Sequence, residues 1–127
     1  MTVVTPSILI TDDDFQFRDT LCGVLEPEGY HLLLADDGLQ ACEIVEAQTV
    51  HLLLMDVHMP KLTGLETLRR VKKIQASLPC ILLSARWDDS LRAEATEDGA
   101  YAMLAKPVSR GDLTSTVRAA LEETYGE

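Results

Sequence analysis

Three carboxylates, Asp12, Asp13 and Asp14, run together directly after an apolar segment, and a fourth, Asp56, follows another. Ser84 and Lys106 close two further apolar segments, Lys106 being followed by Pro107. Carboxylates gathered in a small crevice repel one another and resist full ionisation unless a cation joins them. A hard divalent ion meets that need. Mg²⁺ takes oxygen ligands in octahedral geometry, keeps several waters, and binds through one or two carboxylates plus a phosphate. Asp13 and Asp56 are the expected direct ligands, with Asp12 holding a coordinated water. Each residue alone has an ordinary explanation. An acidic run after a strand commonly caps the next helix, because carboxylates accept its free N–H groups and favour its dipole; Asp14 is given that role. Lys106 alone would neutralise carboxylates, and Ser84 alone would cap a helix. The combination carries the weight.

Such residues need elements to bring them together. Five short apolar runs, Ser7 to Thr11, His31 to Ala35, His51 to Met55, Cys80 to Ser84 and Tyr101 to Ala105, have strand length and little polar alternation. Runs of that kind suit strands buried on both faces, as in a parallel sheet. Between them, apolar residues recur at three- and four-residue spacing, for instance Phe17, Leu21 and Val24, and later Leu113, Val117 and Leu121. Gly29, Gly38, Gly64 and Gly99 fall near element boundaries, and Ser109 with Asp112 resembles a capping box opening the last helix. Five βα units imply a doubly wound α/β sheet with right-handed crossovers, whose functional crevice lies beyond the carboxyl ends of the strands. Asp12, Asp13, Asp56, Ser84 and Lys106 all fall at that edge.

With 127 residues, 46% of them hydrophobic, the chain reads as one domain over 1–127 able to bury a core. Eleven basic against 21 acidic residues leave a formal charge of −10, which opposes sequence-independent nucleic-acid binding, since that binding needs Lys and Arg to neutralise phosphates. Arg69, Arg70, Lys72 and Lys73 alternate with Leu65, Leu68, Val71 and Ile74, and read as the solvated face of an amphipathic helix. Cys22, Cys42 and Cys80 are odd in number and widely spaced, the pattern of buried free thiols rather than of a disulfide or zinc site. No signal peptide is evident, and no apolar run approaches the roughly 20 residues that span a bilayer, so a cytoplasmic location is the default expectation. The seven glycines never reach the spacing of a P-loop or dinucleotide-binding loop, which argues against a nucleotide-binding enzyme.

Taken in order, Ile8-Leu9-Ile10-Thr11-Asp12-Asp13-Asp14, Ala35-Asp36-Asp37-Gly38, Leu53-Leu54-Met55-Asp56-Val57-His58-Met59-Pro60 with Gly64, Leu83-Ser84-Ala85, Gly99-Ala100 and Lys106-Pro107 resemble the receiver domain of two-component response regulators over essentially the whole chain. The resemblance implies a flavodoxin-like (CheY-like) three-layer sandwich with strand order 2-1-3-4-5. By position it also implies a phosphoacceptor at Asp56, an acidic pair at Asp12 and Asp13, and a metal site for Mg²⁺ completed by the backbone carbonyl of His58. Ser84 would hydrogen-bond the phosphoryl oxygens after transfer and Lys106 would lend them positive charge. The implied donor is a phosphohistidine on a histidine kinase or histidine phosphotransfer protein. The chain would catalyse its own aspartyl phosphorylation and dephosphorylation as a signalling domain, rather than act as an enzyme on a separate substrate. A readout face of fourth helix, fifth strand and fifth helix would meet an output partner or a second copy.

The match breaks at one switch position. Receivers commonly carry an aromatic three residues before the lysine, where this chain has Met103. Tyr101, two residues earlier, is placed by strand alternation on the same face; it either substitutes in part or lies at the rim. Trp87, close to Ser84, either reports the switch or packs across its loop. His58 is given a main-chain role only; the positions of its side chain and of Arg86 flank the phosphoryl site in the family, which implies an influence on the access of hydrolytic water. His31 and His51 open strands and are structural. The alternative to a phosphoacceptor is a pseudo-receiver that kept the fold and switches without phosphate. The sequence names neither kinase nor output.

Overall fold

The computed structural model describes residues 5–126, in which five strands alternate with five α-helices. The strands are β1 (Ser7–Thr11), β2 (His31–Ala35), β3 (Leu52–Asp56), β4 (Cys80–Ser84) and β5 (Ala102–Ala105). The helices are α1 (Phe15–Leu25), α2 (Gly38–Ala47), α3 (Gly64–Ile74), α4 (Asp89–Glu97) and α5 (Arg110–Tyr125). All neighbouring strands are parallel, in the order β2-β1-β3-β4-β5. This is the doubly wound sheet expected from the five βα units, in the order that the family resemblance implied.

Alternation within the buried strands sorts their side chains into two layers. Leu9, Leu53, Met55, Cys80 and Leu82 pack with Ala41, Cys42 and Val45 of α2, Leu65, Leu68 and Val71 of α3, and Ala95 of α4. Ile8, Ile10, Leu52, Leu54, Ile81 and Leu83 pack on the opposite face with Leu21 and Leu25 of α1 and Leu113, Val117, Ala120 and Leu121 of α5. Each fully buried Leu or Ile here contributes about 2 kcal/mol. Covering helices on both faces explain why β3 and β4 read as unbroken apolar runs.

The outer strands differ from the expectation of burial on both faces. Leu34 of β2 is 42% exposed, and β5 is only half-buried, because strand order places these two at the sheet edges. Of the cysteines, Cys42 and Cys80 are buried free thiols as expected, whereas Cys22 is half-buried. Ile74, expected on the packed face of α3, is 40% exposed at the helix end. Ser109 caps α5 by accepting the Asp112 N–H at 3.0 Å, and the full reciprocal capping box is instead built by Thr63 and Glu66 at the start of α3.

A candidate phosphoacceptor site at the carboxyl edge of the sheet

The ladder of backbone hydrogen bonds sets the level at which the polar residues emerge. Asp12 N–H donates to Ala35 O at 3.2 Å, Val57 N–H to Leu83 O at 2.9 Å, and Lys106 N–H to Ser84 O at 2.9 Å. Asp12, Asp56, Ser84 and Lys106 therefore end their strands at one edge. The ligand atoms of Asp12, Asp13 and Asp56 lie within 4.8 Å of one another. Asp12 and Asp56 are buried, and Asp13 is exposed at the mouth.

The next loop is fixed by a cap. Asp14 leaves the cluster and accepts the N–H groups of Gln16 at 3.0 Å and Phe17 at 3.2 Å, which starts α1 as expected for this residue. Asp12 Oδ1 accepts the Asp14 N–H at 2.9 Å, and Asp12 Oδ2 accepts from Lys106 Nζ at 3.3 Å. Lys106 Nζ also lies 3.4 Å from Asp56 Oδ1. Burial, the largest cause, holds the Asp12 carboxyl above the ordinary range, and the charge of Asp56 adds to it. The Asp14 N–H and Lys106 oppose the rise. Three close carboxylates against a single ammonium leave a deficit of positive charge, and the donors are all hard oxygens in a partly open cleft. That combination fits a Mg²⁺-type ion rather than a thiophilic metal.

The loop after β3 is held close against the end of that strand. Gly64 N–H donates to Val57 O at 2.8 Å, and a Cβ on Gly64 would lie 2.6 Å from Val57 Cα and 2.7 Å from Asp56 O. Lys61, with φ 67°, turns this loop toward Asp37, to which its ammonium is paired at 3.4 Å.

Ser84 is fully buried; its Oγ accepts the Arg86 N–H at 3.0 Å and lies 3.1 Å from His58 Nε2. The helix that follows is capped by Asp88 and not by Ser84. The sequence reading gave His58 a main-chain role only, and its ring contact with Ser84 is a feature that reading lacked. Met103 packs against the α2–α3–α4 layer together with Trp87 and Leu91. Tyr101 does not share its face. The strand begins at Ala102, so the bend at Tyr101 escapes strand alternation; its ring packs on the α1–α5 layer and its hydroxyl donates to Glu123 of α5. Trp87 Nε1 donates to Leu104 O at 2.8 Å, which joins the loop after β4 to the edge strand. Phe17, read from the sequence only as part of an apolar stripe, lies with its ring centroid 4.1 Å from Lys106 Nζ.

The family model for the response regulator receiver domain matches residues 8–118. The response regulator MprA of Mycobacterium leprae is 38% identical over 117 residues, covering 92% of this chain and 51% of that protein. The transcriptional regulatory protein CpxR of Escherichia coli is 36% identical over 118 residues, covering 93% and 50%. The chain thus spans about half the length of the curated relatives it matches. Among solved structures, a CheY-like response regulator receiver domain protein from Methanospirillum hungatei superposes with a TM-score of 0.92 at 27% identity, over 95% of this chain and 97% of that one. The signal receiver domain of an HD domain-containing protein from Pseudomonas fluorescens gives 0.92 at 30% identity, over 98% and 93%.

Proposed function

Since this chain belongs to the response regulator receiver family, we propose that it is a phosphoacceptor receiver over 1–127, which takes a phosphoryl group on Asp56 in a Mg²⁺ site formed with Asp12, Asp13 and the backbone carbonyl of His58. The carrying observation is the convergence of the Asp12, Asp13 and Asp56 carboxylates within 4.8 Å, with Lys106 against two of them.

In this reading a carboxylate oxygen of Asp56 attacks phosphorus in line as the P–N bond of a phosphohistidine breaks; the leaving imidazole retains the bonding pair and takes a proton. Phosphoryl transfer relies on positioning and on neutralising charge on the equatorial oxygens. Mg²⁺, when bound, would supply most of that neutralisation. Lys106 supplies a further positive charge from the other side, and Ser84 offers its hydroxyl to a phosphoryl oxygen. Water attacking the aspartyl phosphate returns the carboxylate and releases phosphate. Retention of this whole set favours a phosphoacceptor over a phosphate-independent interaction module.

The donor is a histidine kinase or histidine phosphotransfer protein, and the charge added on Asp56 alters the face formed by α4, β5 and α5, where an output partner or second copy binds. The relatives' names make regulated transcription one class of output for a longer chain. The net charge of −10 argues that the receiver itself does not bind nucleic acid. No helix among the described residues is long and apolar enough to cross a membrane, and the proposed setting is the cytoplasm.

The test is intact mass after incubation with acetyl phosphate, in Mg²⁺ or EDTA, for wild type and Asp56→Ala. One Mg²⁺-dependent phosphoryl adduct, absent from the variant, is expected. No adduct from acetyl phosphate or from a panel of kinases, in folded Mg²⁺-loaded protein, would favour the pseudo-receiver.

A further inference from the structure

Lys106 is the only basic residue ion-paired to the cleft carboxylates among the described residues, since Arg18 pairs with Asp36 and Lys61 with Asp37. Its ammonium stands 3.3 Å from Asp12 Oδ2 and 3.4 Å from Asp56 Oδ1, long distances that leave its position loosely defined by the carboxylates alone. Phe17 adds a contact from its ring, whose centroid is 4.1 Å away, while the Lys106 side chain stays 20% exposed. Phe17 is itself fixed. It sits in the first turn of α1, its N–H is held by the Asp14 cap at 3.2 Å, and its ring packs against the α1–α5 layer. The same loop that presents Asp12 and Asp13 thus also sets the ring that faces the lysine.

We infer that Phe17 is a positioning residue for Lys106, holding its ammonium across Asp12 and Asp56 by a cation–π contact; this rests on the phosphoacceptor reading of the cleft. A cation over an aromatic face is attracted by the ring quadrupole, more strongly as water is excluded. Two effects of opposite sign follow. A held ammonium is in place for the charge that develops on the phosphoryl group, which speeds transfer. The same ammonium partly neutralises the carboxylates that Mg²⁺ must use, which weakens the metal. Removing the ring therefore slows adduct formation and tightens Mg²⁺, whereas general loosening of the site would weaken both.

The test compares wild type, Phe17→Leu, Phe17→Met, Phe17→Tyr, Lys106→Met and the Phe17→Leu/Lys106→Met double variant. The readouts are MgCl₂ titration by calorimetry, the rate of acetyl phosphate adduct formation by intact mass, and thermal unfolding of each protein. Phe17→Leu and Phe17→Met are expected to tighten Mg²⁺ about two- to fivefold and to slow adduct formation about three- to tenfold. Phe17→Tyr, which keeps an aromatic face, should restore both. With Lys106→Met the Leu change should move neither quantity, because a double-mutant cycle isolates the pairwise contact. A parallel weakening of metal and rate, no change in either, or an undiminished effect of Leu in the Lys106→Met background would overturn the proposal. If wild type binds Mg²⁺ but forms no adduct with acetyl phosphate or from a panel of kinases, the phosphoacceptor reading falls, while the Mg²⁺ titrations still decide whether Phe17 acts through Lys106.

Discussion

His58 Nε2 lies 3.1 Å from Ser84 Oγ, so a side chain two residues after Asp56 holds the hydroxyl that the phosphoryl group would recruit. A typical hydrogen bond contributes about 1 kcal/mol net, and under the phosphoacceptor proposal the loss of this contact would oppose the switch by that amount. His58→Ala is expected to raise the affinity for beryllofluoride, a phosphoryl mimic, by about fivefold. Titration with beryllofluoride in Mg²⁺ measures it, and unchanged or weaker binding would show that the contact is neutral to switching.

The raised Asp12 carboxyl predicts how metal binding depends on pH. A carboxyl raised in the folded state takes up a proton before the unfolded chain does. Ionised Asp12 therefore costs stability in the metal-free protein at neutral pH, a cost that disappears as pH falls through its raised value. Mg²⁺ needs the ionised form, so its affinity should begin to fail above the ordinary aspartate value of 3.8. At ten times its dissociation constant, Mg²⁺ should stabilise the fold at pH 7 by about 1.4 kcal/mol. Thermal unfolding with Mg²⁺ or EDTA across pH 7 to 4 checks both points, and Asp12→Asn should weaken the Mg²⁺ effect and flatten its pH profile.

His51 predicts a second pH dependence, at the opposite end of the sheet. Its Nδ1 accepts the Ser7 N–H at 2.8 Å, and its ring meets Tyr125 edge-on at 5.5 Å, while Tyr125 OH donates to His51 O at 2.6 Å. Burial holds its pKa below 6.5. A histidine depressed in the folded state contributes stability above its ordinary value and loses it as pH falls through the lowered one. The melting temperature should fall between pH 7 and 5 more for wild type than for His51→Asn, which keeps an acceptor but does not titrate; parallel curves would argue against this role.

The single tryptophan offers an optical readout. Trp87 Nε1 donates to Leu104 O, and Trp87 is three residues beyond Ser84. Under the phosphoacceptor proposal, drawing Ser84 toward a phosphoryl group would pull on the intervening loop and is expected to break this bond. Emission is then expected to move to longer wavelength when acetyl phosphate is added to the Mg²⁺-loaded protein. Asp56→Ala should show no such shift, and an identical response in that variant would rule out a link to phosphorylation.

Gly64 should resist substitution for a reason of space. Its φ is not left-handed, but a Cβ would press on Val57 Cα and the Asp56 carbonyl, both backbone atoms unable to turn aside. Gly64→Ala is expected to cost about 1–3 kcal/mol by overpacking and to weaken Mg²⁺ through displacement of the Asp56 segment. Denaturant unfolding and Mg²⁺ titration together check it. Full retention of both would mean that the loop relaxes outward at no cost.

Local pattern was enough for the elements. The bounds of β1, β2 and β4 follow the apolar runs residue for residue, and β3 and β5 begin one residue later than their runs. Those runs, the Asp14 cap and the stripe of α5 are features of neighbouring residues, and the periods of strand and helix translate them directly into a buried face. The placing of Asp12, Asp13, Asp56, Ser84 and Lys106 at strand ends was legible for the same reason, since parallel strands of similar length end together. The convergence of Asp12, Asp13, Asp56 and Lys106 in one cleft followed from that.

What no spacing contained was which side chains meet across elements. Phe17 against Lys106, His58 against Ser84 and Trp87 against Leu104 pair residues from different βα units or across a loop. The opposite faces taken by Tyr101 and Met103 depended on where the ladder to β4 begins, and the exposure of Leu34 on which strand has no outer neighbour. The sequence by itself determined the elements and the edge at which the candidate site lies, because those depend on short-range periodicity. Only the tertiary structure decided the contacts that hold Lys106 and Ser84, because these depend on register, crossing and loop path, which are set by packing among distant residues.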